Sequence, residues 1–365
     1  MGGTILPMKD SAALKGCDNE NIKRSHAMSK VSILITYGLT SDDLGHLEGF
    51  SDPLLVESVN AVSPEEIAHV LRKHPKTQIV YSRNAPNDWH PDWGVRWFQF
   101  HLAGIDHLDL KVIPEDIRLT TASGVHSCVV AEHAFALLLA LRRRLPRILR
   151  HQFRSVWDEN RLSEFRQPLL RGQTMGILGY GSIGREVARL AKSFGMKILA
   201  YKRDKGVKRD RGFRVDGVGD PDGSIPTAFY DRQGLNEILQ RSDIIVSALP
   251  ATVETENLLD AAAFHAVKSG AIFINMGRGQ AVAETALIDA LQEGRLAGAA
   301  LDVFATEPLS TKSPLWGMEN VIVSPHVGGF FAQYNDFCLL LFKENLRRYL
   351  LGQPLLNEIN RNLGY

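Results

Sequence analysis

Met175-Gly176-Ile177-Leu178-Gly179-Tyr180-Gly181-Ser182-Ile183-Gly184 is the stretch that decides the fold. Met175 to Leu178 reads as a buried strand, Gly179 to Gly184 as a turn of the form G-x-G-x-x-G, and residues 185–194 as the helix that follows. Gly179 permits the tight turn, Gly181 lets an anion approach the backbone, and Gly184 lets the helix pack on the strand. The N-terminus of that helix presents unpaired N–H groups to a phosphate. In this strand–turn–helix context the pattern predicts a dinucleotide site spread over Gly179, Tyr180, Gly181, Ser182, Ile183 and Gly184.

Downstream, residues 198–201, 244–247, 271–275, 298–303 and 321–324 are apolar runs of strand length with helical segments between them. They continue the parallel sheet that the glycine turn opens and complete a nucleotide-binding domain. Upstream, residues 31–37, 78–81 and 97–102 are β-rich. Residues 64–73 form a helix that starts from Ser63, with Glu66 three residues on as a capping box. Residues 129–144 are a long apolar helix, and residues 335–351 an amphipathic one placed too late to join the second sheet. That last helix is expected to fold back on the first domain. The expected architecture is α/β: two doubly wound parallel-sheet domains, Rossmann-like and flavodoxin-like, with the active site in the cleft between them. Residues 29–122 with 330–365 make one domain and residues 123–329 the other.

At 365 residues the chain is long enough for two cores. A net charge of +1 removes any broad electrostatic attraction to nucleic acid or an acidic membrane. No apolar run approaches the roughly 20 residues that span a bilayer. Residues 1–28 have no apolar core of a secretory leader and read as a mobile tail. Cys17, Cys128 and Cys338 are too scattered for a disulfide framework or a metal site, so the expectation is a cytoplasmic protein with reduced thiols and no metal. Cys128 reads as a small buried hydrophobe. Residues 204–230 are far longer than the usual strand–helix connection and, rich in Gly and charge, read as a solvated surface insertion, with a functional lid as the less favoured alternative.

Two departures at the end of the second strand concern the cofactor. Lys202 lies 18 positions past Gly184, where an NAD enzyme normally carries an acid for the ribose 2′-hydroxyl, and Arg203 follows it. Two cations there suit a 2′-phosphate; the competing reading has both as surface residues and Asp204 as a shifted acid. The first is favoured, making NADP(H) the expected cofactor and NAD(H) the second choice.

Three further residues follow predicted strand ends, the edge where open α/β sheets bind ligands. They are Arg278 in Asn275-Met276-Gly277-Arg278-Gly279, Glu307 in Asp302-Val303-Phe304-Ala305-Thr306-Glu307-Pro308, and His326 in Ser324-Pro325-His326-Val327-Gly328-Gly329. A guanidinium clamps a carboxylate through two bonds, and an imidazole next to a carboxylate is suited to moving protons near neutrality.

These segments, with the glycine turn and Ala286-Leu287-Ile288-Asp289-Ala290-Leu291, resemble the signatures of the D-isomer-specific 2-hydroxyacid dehydrogenases, in particular the glyoxylate and hydroxypyruvate reductases. The resemblance covers residues 30–365. It implies that Arg278 binds substrate, that His326 is the acid/base, and that Glu307 hydrogen-bonds His326 and favours its charged form. It also implies that Asp302 holds the nicotinamide carboxamide, that Leu249, Pro250 and Thr255 underlie the adenosine side, and that Met276, Gly277, Arg278, His326 and Gly328 border the cofactor. Ala103 and Gly104, in Ala103-Gly104-Ile105-Asp106, resemble the turn whose amides bind the substrate carboxylate. The implied partners are a small 2-oxoacid or 2-hydroxyacid and a second copy of the chain, with no nucleic acid and no membrane. A rival reading is a dinucleotide-sensing corepressor or scaffold on the same fold. His101, His107, His126 and His133 have no such companions and read as surface or core residues, and Trp89 and Trp93 as packing in the first domain.

Overall fold

The computed structural model describes residues 30–37, 54–361 and 363–364. The expected tail, residues 1–28, and Cys17 lie outside the described residues. The first sheet is built from β1 (Val31–Ile35), β2 (Leu54–Ser58), β3 (Ile79–Ser82), β4 (Trp97–Phe100) and β5 (Arg118–Thr120), all parallel in the order β2-β1-β3-β4-β5. Helix α1 (Pro64–Lys73) starts as the sequence prescribes: the Ser63 side chain accepts from the Glu66 N–H, and the Glu66 carboxylate accepts from the Ser63 N–H. Trp93 is buried in this core and Trp89 packs against it.

Helix α2 (Ser127–Arg142) leaves the first sheet and enters the second unit. It is apolar because it is enclosed: Val130, Ala131, Ala134, Phe135 and Leu138 share one core with Val187, Ala188 and Ala191 of the helix behind the glycine turn. After α3 (Leu145–Phe153) and the short α4 (Arg161–Glu164) comes the second sheet. It runs through β6 (Thr174–Leu178), α5 (Ser182–Ser193), β7 (Lys197–Tyr201), β8 (Ala228–Tyr230), α6 (Leu235–Arg241), β9 (Ile244–Ser247), α7 (Ala261–Ala266), β10 (Ala271–Asn275), α8 (Glu284–Gln292), β11 (Leu296–Leu301) and β12 (Val321–Val323). The order is β12-β11-β10-β9-β6-β7-β8, all parallel. Its central strands are buried on both faces, which is why they read as unbroken apolar runs rather than alternating ones.

Helix α9 (Tyr334–Leu350) returns to the first sheet, as expected from its position. Phe342 and Leu346 pack on Ile33, Ile35, Ile79, Tyr81 and Trp97. The fully buried Asn345 fixes the register: its Nδ2 donates to Gln99 Oε1 and Leu356 O, and its Oδ1 accepts from the Leu356 N–H.

Three short edge strands (β2, β5 and β8) are absent from the sequence reading, and the second sheet holds seven strands. The clearest correction concerns residues 204–230. Its last residues are β8, and what precedes it, although exposed over residues 203–209 and at several later positions, is anchored to the body of the protein at buried points. Asp220, only 3% exposed, accepts from the Tyr180 hydroxyl at 2.7 Å and from the Ser224 and Ile225 N–H groups. Arg185 on α5 reaches the carbonyls of Asp220 and Lys208. Burial acts to raise the Asp220 pKa, but the N–H of Ile225, the Tyr180 hydroxyl and Ser224 together hold it below the usual carboxylate value. Further along, Phe213 is buried with Ala122, Val125, Cys338 and Leu341, and its N–H donates to Asn357 Oδ1 at 2.9 Å. The connector is therefore pinned at the glycine turn and again beside the crossings between the two sheets. Cys128, read as buried, is half-buried.

Candidate active site

Open parallel sheets bind ligands where neighbouring strands depart in opposite directions along the sheet. In the second sheet that point lies between β6 and β9, with the glycine turn after one and Leu249-Pro250 after the other. Gly179 adopts φ +95°, and a Cβ there would lie 2.6 Å from the Ala248 carbonyl oxygen. Gly181, by contrast, has nothing within 4 Å of where its Cβ would stand. The turn is closed on its sheet side and open above, and α5 starts there with no side-chain cap for its first N–H groups. These features fit a dinucleotide pyrophosphate, which Gly181, Ser182, Ile183 and Gly184 would hold through backbone N–H groups. Tyr180 keeps its place in the turn, but its ring is buried under the connector, with the Arg185 guanidinium 4.9 Å from its centroid.

At the end of β7, Arg203 is exposed and Lys202 is half-buried, its ammonium donating to the Val207 carbonyl inside the connector. Burial, and then the Arg185 charge, move the Lys202 pKa below its ordinary value. The loop after β9 is tied by Thr255, whose hydroxyl donates to the Pro250 carbonyl at 2.6 Å. Leu249 and Met276 are buried, and Gly277 packs against the Leu249 backbone.

Arg278, Glu307 and His326 leave the carboxyl ends of β10, β11 and β12, three strands that are neighbours in the sheet. Gly279 brings the first two loops into contact: a Cβ there would lie 1.9 Å from the Phe304 carbonyl carbon. One Glu307 oxygen accepts from the Phe304 N–H at 3.0 Å, and the other is 2.7 Å from His326 Nδ1. His326 therefore turns Nε2 away from the carboxylate. Its backbone sits in the left-handed region, φ +54°, a strain of about 1–3 kcal/mol for a residue with a Cβ.

What holds that strain is Asp302, only 3% exposed. Its carboxylate accepts from Ser324 Oγ at 2.5 Å, from the Val327 N–H at 3.0 Å and from the Gly328 N–H at 2.9 Å. His133 on α2 completes the arrangement, donating through Nε2 to Ser324 Oγ at 3.0 Å. His133 was expected to have no such companion, and this is a correction. The signal for it was weak, a single histidine on the polar side of an apolar helix.

Arg278 meets the first sheet across the cleft. Its Nε donates to Asp106 Oδ2 at 2.9 Å, and its Nη1 donates to the Gly277 carbonyl. Its Nη2 lies 1.9 Å from where a Cβ on Gly104 would stand. The guanidinium thus rests on the bare backbone of the Ala103-Gly104 turn, and one side chain and one peptide converge on the same small volume. In the sequence Asp106 is simply the last residue of that turn; its role in aiming Arg278 depends on a contact between residues 172 positions apart. His126 also faces this volume. Burial, and then the Arg278 charge, lower its pKa to about 4, so it is neutral near pH 7. Among the described residues no group of side chains could hold a metal ion, and no helix is long and apolar enough to cross a membrane.

Residues 135–328 match the family model for the NAD binding domain of D-isomer specific 2-hydroxyacid dehydrogenases. The chain belongs to that family. It is 35% identical over 258 residues to glyoxylate/hydroxypyruvate reductase A of Arabidopsis thaliana, covering 70% of this chain and 75% of that one. A family protein of known structure from Aeromonas salmonicida is 31% identical, with a TM-score of 0.69, over 91% of this chain and all of the other. The family protein of Xanthobacter autotrophicus, solved in complex with NADPH, is 25% identical, with a TM-score of 0.71, over 92% of this chain and all of the other. The chain also matches longer D-3-phosphoglycerate dehydrogenases of Archaeoglobus fulgidus and Methanocaldococcus jannaschii, and it spans about half of their length, 46% and 55%.

Gly104→Ala should push the Arg278 guanidinium off the turn while leaving the glycine turn, Gly179 to Gly184, in place. A displacement of about 1 Å at a substrate-positioning group costs on the order of 10² in kcat/KM. Steady-state kinetics should show that loss with the dinucleotide Kd unchanged; wild-type efficiency would mean that the contact has no role.

Proposed function

We propose that the protein reduces small 2-oxoacids of the glyoxylate or hydroxypyruvate type to D-2-hydroxyacids, with NADPH preferred over NADH. The observation that carries this reading is the placement of an imidazole–carboxylate pair, His326 and Glu307, on the same strand edge as a guanidinium that faces the Gly104 backbone. In the proposed reaction Arg278 and the Ala103-Gly104 N–H groups hold the carboxylate and polarise the adjacent carbonyl. When bound, the dinucleotide supplies the hydride. His326 donates the Nε2 proton to the developing alkoxide, and Glu307, on Nδ1, holds the ring and balances the charge of the imidazolium. The product leaves with one hydride and one proton added across the carbonyl. Residues 29–122 with 330–365 act as the substrate domain and residues 123–329 as the nucleotide domain. His326→Ala should lower kcat by about 10²–10⁴, the usual contribution of a placed acid/base. Stopped-flow oxidation of NADPH with glyoxylate and hydroxypyruvate measures it, and wild-type turnover by the variant would remove His326 from the mechanism.

The NADPH preference rests on the missing acid at position 202 and on the paired cations Lys202 and Arg203, and the Xanthobacter relative bound to NADPH supports it. A carbonyl partner leaves the charge of Lys202 in place. A charge-assisted bond contributes roughly 1.5–3 kcal/mol, less when exposed, so the expected preference is about 10–150-fold in kcat/KM. Lys202→Asp should reverse most of it. Equal efficiency of the wild type with both dinucleotides would overturn the preference.

The chain is also proposed to act as a homodimer. Leu145, Leu149, Phe153, Trp157, Leu162 and Leu169 are exposed along α3, α4 and the flanking loops, and Phe153, Trp157 and Leu162 are each more than 80% exposed. Light scattering should give twice the 40.5 kDa of the chain. The monomer mass at micromolar concentration would refute it.

A further inference from the structure

The chain crosses between the two sheets twice, at residues 121–126 between β5 and α2 and at residues 324–333 between β12 and α9. Movement of one unit against the other needs a few residues at the crossings that are free to change φ and ψ. Here the first crossing is held. Asn357, on the chain that leaves α9, donates from Nδ2 to the Ser123 carbonyl at 2.7 Å and to the Thr121 carbonyl at 3.2 Å. The Thr121 N–H donates in turn to the Asn357 carbonyl at 3.2 Å. The same side chain reaches the connector, where its Oδ1 accepts from the Phe213 N–H. Gly124 has φ +88°, and a Cβ there would lie 2.1 Å from the Phe213 carbonyl oxygen. The Phe213 backbone is thus seated between Asn357 and the bare α-carbon of Gly124.

The Phe213 ring closes a small core in which Ala122 and Val125 of the first crossing meet Cys338 and Leu341 of α9. Phe331 of the second crossing packs on the same core. The tip of the connector therefore belongs with the crossings and with the helix that returns to the first sheet. Its two limbs belong to the other unit. Arg185 of α5 holds both, through the carbonyls of Lys208 and Asp220, and the Glu186 carboxylate accepts from the Gly219 N–H at 2.7 Å. The Asp210 N–H donates to the Pro221 carbonyl at 2.8 Å, which ties one limb to the other. Arg185 and Glu186 are both buried. A segment with its base on one unit and its tip on the other spans the hinge. Rotation of either sheet against the other must draw the Phe213 ring out of its core or lift the limbs off α5.

We propose that the connector is a strap across this hinge, and that Phe213 and Asn357 are positioning residues that hold the two sheets at the distance where Arg278 rests on the Gly104 turn. They act through the crossings. The distance they fix matters because Arg278 leaves the second sheet, whereas Asp106 and Gly104 stand on the first. A hinge held in this way keeps the site assembled before substrate arrives, so binding does not have to draw on its own free energy to close the cleft. The effect on turnover rests on the 2-oxoacid reading above; the effect on the hinge does not.

Three variants of the full chain test the strap. Phe213→Ala empties the small core, and Phe213→Leu restores most of its apolar contact. Asn357→Gly removes the side-chain tie and suits the left-handed φ of +56° at that position. In hydrogen exchange read by mass spectrometry, residues 121–126 of Phe213→Ala and Asn357→Gly should exchange about 10-fold faster than in the wild type, with β6 and β10 unchanged. X-ray scattering should give both variants a larger radius of gyration. With glyoxylate and hydroxypyruvate at saturating NADPH, KM should rise about 10-fold and kcat stay within about twofold, because closing the cleft is now added to substrate binding. The calorimetric Kd for NADPH should not move, since the limbs still hold Tyr180. Phe213→Leu should return towards the wild type in every measurement, and if Phe213→Ala does not fold, Asn357→Gly and Phe213→Leu decide the matter. Faster exchange at the crossing with an unchanged radius of gyration would overturn the strap by reducing the contact to local packing. A raised KM with unchanged exchange would overturn it as well. Absence of turnover with every 2-oxoacid would overturn the 2-oxoacid reading, and exchange and scattering would still decide whether the connector holds the hinge.

Discussion

A buried carboxylate sets the geometry on which the cleft depends. Asp302 is enclosed at the end of β11, and it gathers the backbone N–H groups of Val327 and Gly328, the Ser324 hydroxyl and, through that hydroxyl, His133 of α2. An unpaired charge at that depth would cost several kcal/mol, so the loop after β12 is drawn into one shape to satisfy it. That shape forces His326 into the left-handed region and presents its Nδ1 to Glu307. The same carboxylate ties the helix that links the two sheets to the strand ends that carry Glu307 and His326. Resemblance assigns Asp302 to the nicotinamide; in the structure its oxygens organise the protein.

Across the cleft the constraint is steric rather than electrostatic. Arg278 approaches Gly104 so closely that a single methyl group would occupy its Nη2. Asp106 then fixes the guanidinium from the side. An arginine from one sheet is thereby aimed by a glycine and an aspartate from the other, and the site exists only while the two sheets hold this distance. Helix α9, anchored on the first sheet by Asn345, and the connector, anchored beside it through Phe213, both lie where that distance is set.

Much of this was legible in the chain. The glycine turn carries its reason in its spacing, and Arg278, Glu307 and His326 each follow a strand end that an apolar run announces. The capping box of α1 could be placed to the residue. What could not be read were contacts between distant segments: Asp106 with Arg278, His133 with Ser324, Phe213 with Leu341. The connector misled for a related reason. Its charge and glycine content resemble a solvated loop, but Asp220 satisfies backbone and tyrosine donors under cover, and Phe213, Ile225 and Phe229 anchor it on apolar cores.

The connector also bears on how this protein could be re-engineered. Cofactor exchange in such folds is commonly imagined as a matter of replacing the residues at one strand end and trimming the loop that follows. Here the trimmed loop would take with it the acid that holds Tyr180 inside the glycine turn and the aromatic plug seated among Ala122, Val125 and Leu341. A graft designed only for the ribose would reshape the phosphate turn and loosen the crossing between the sheets together. The workable unit of exchange is therefore the strand end with its whole connector and the residues that receive it.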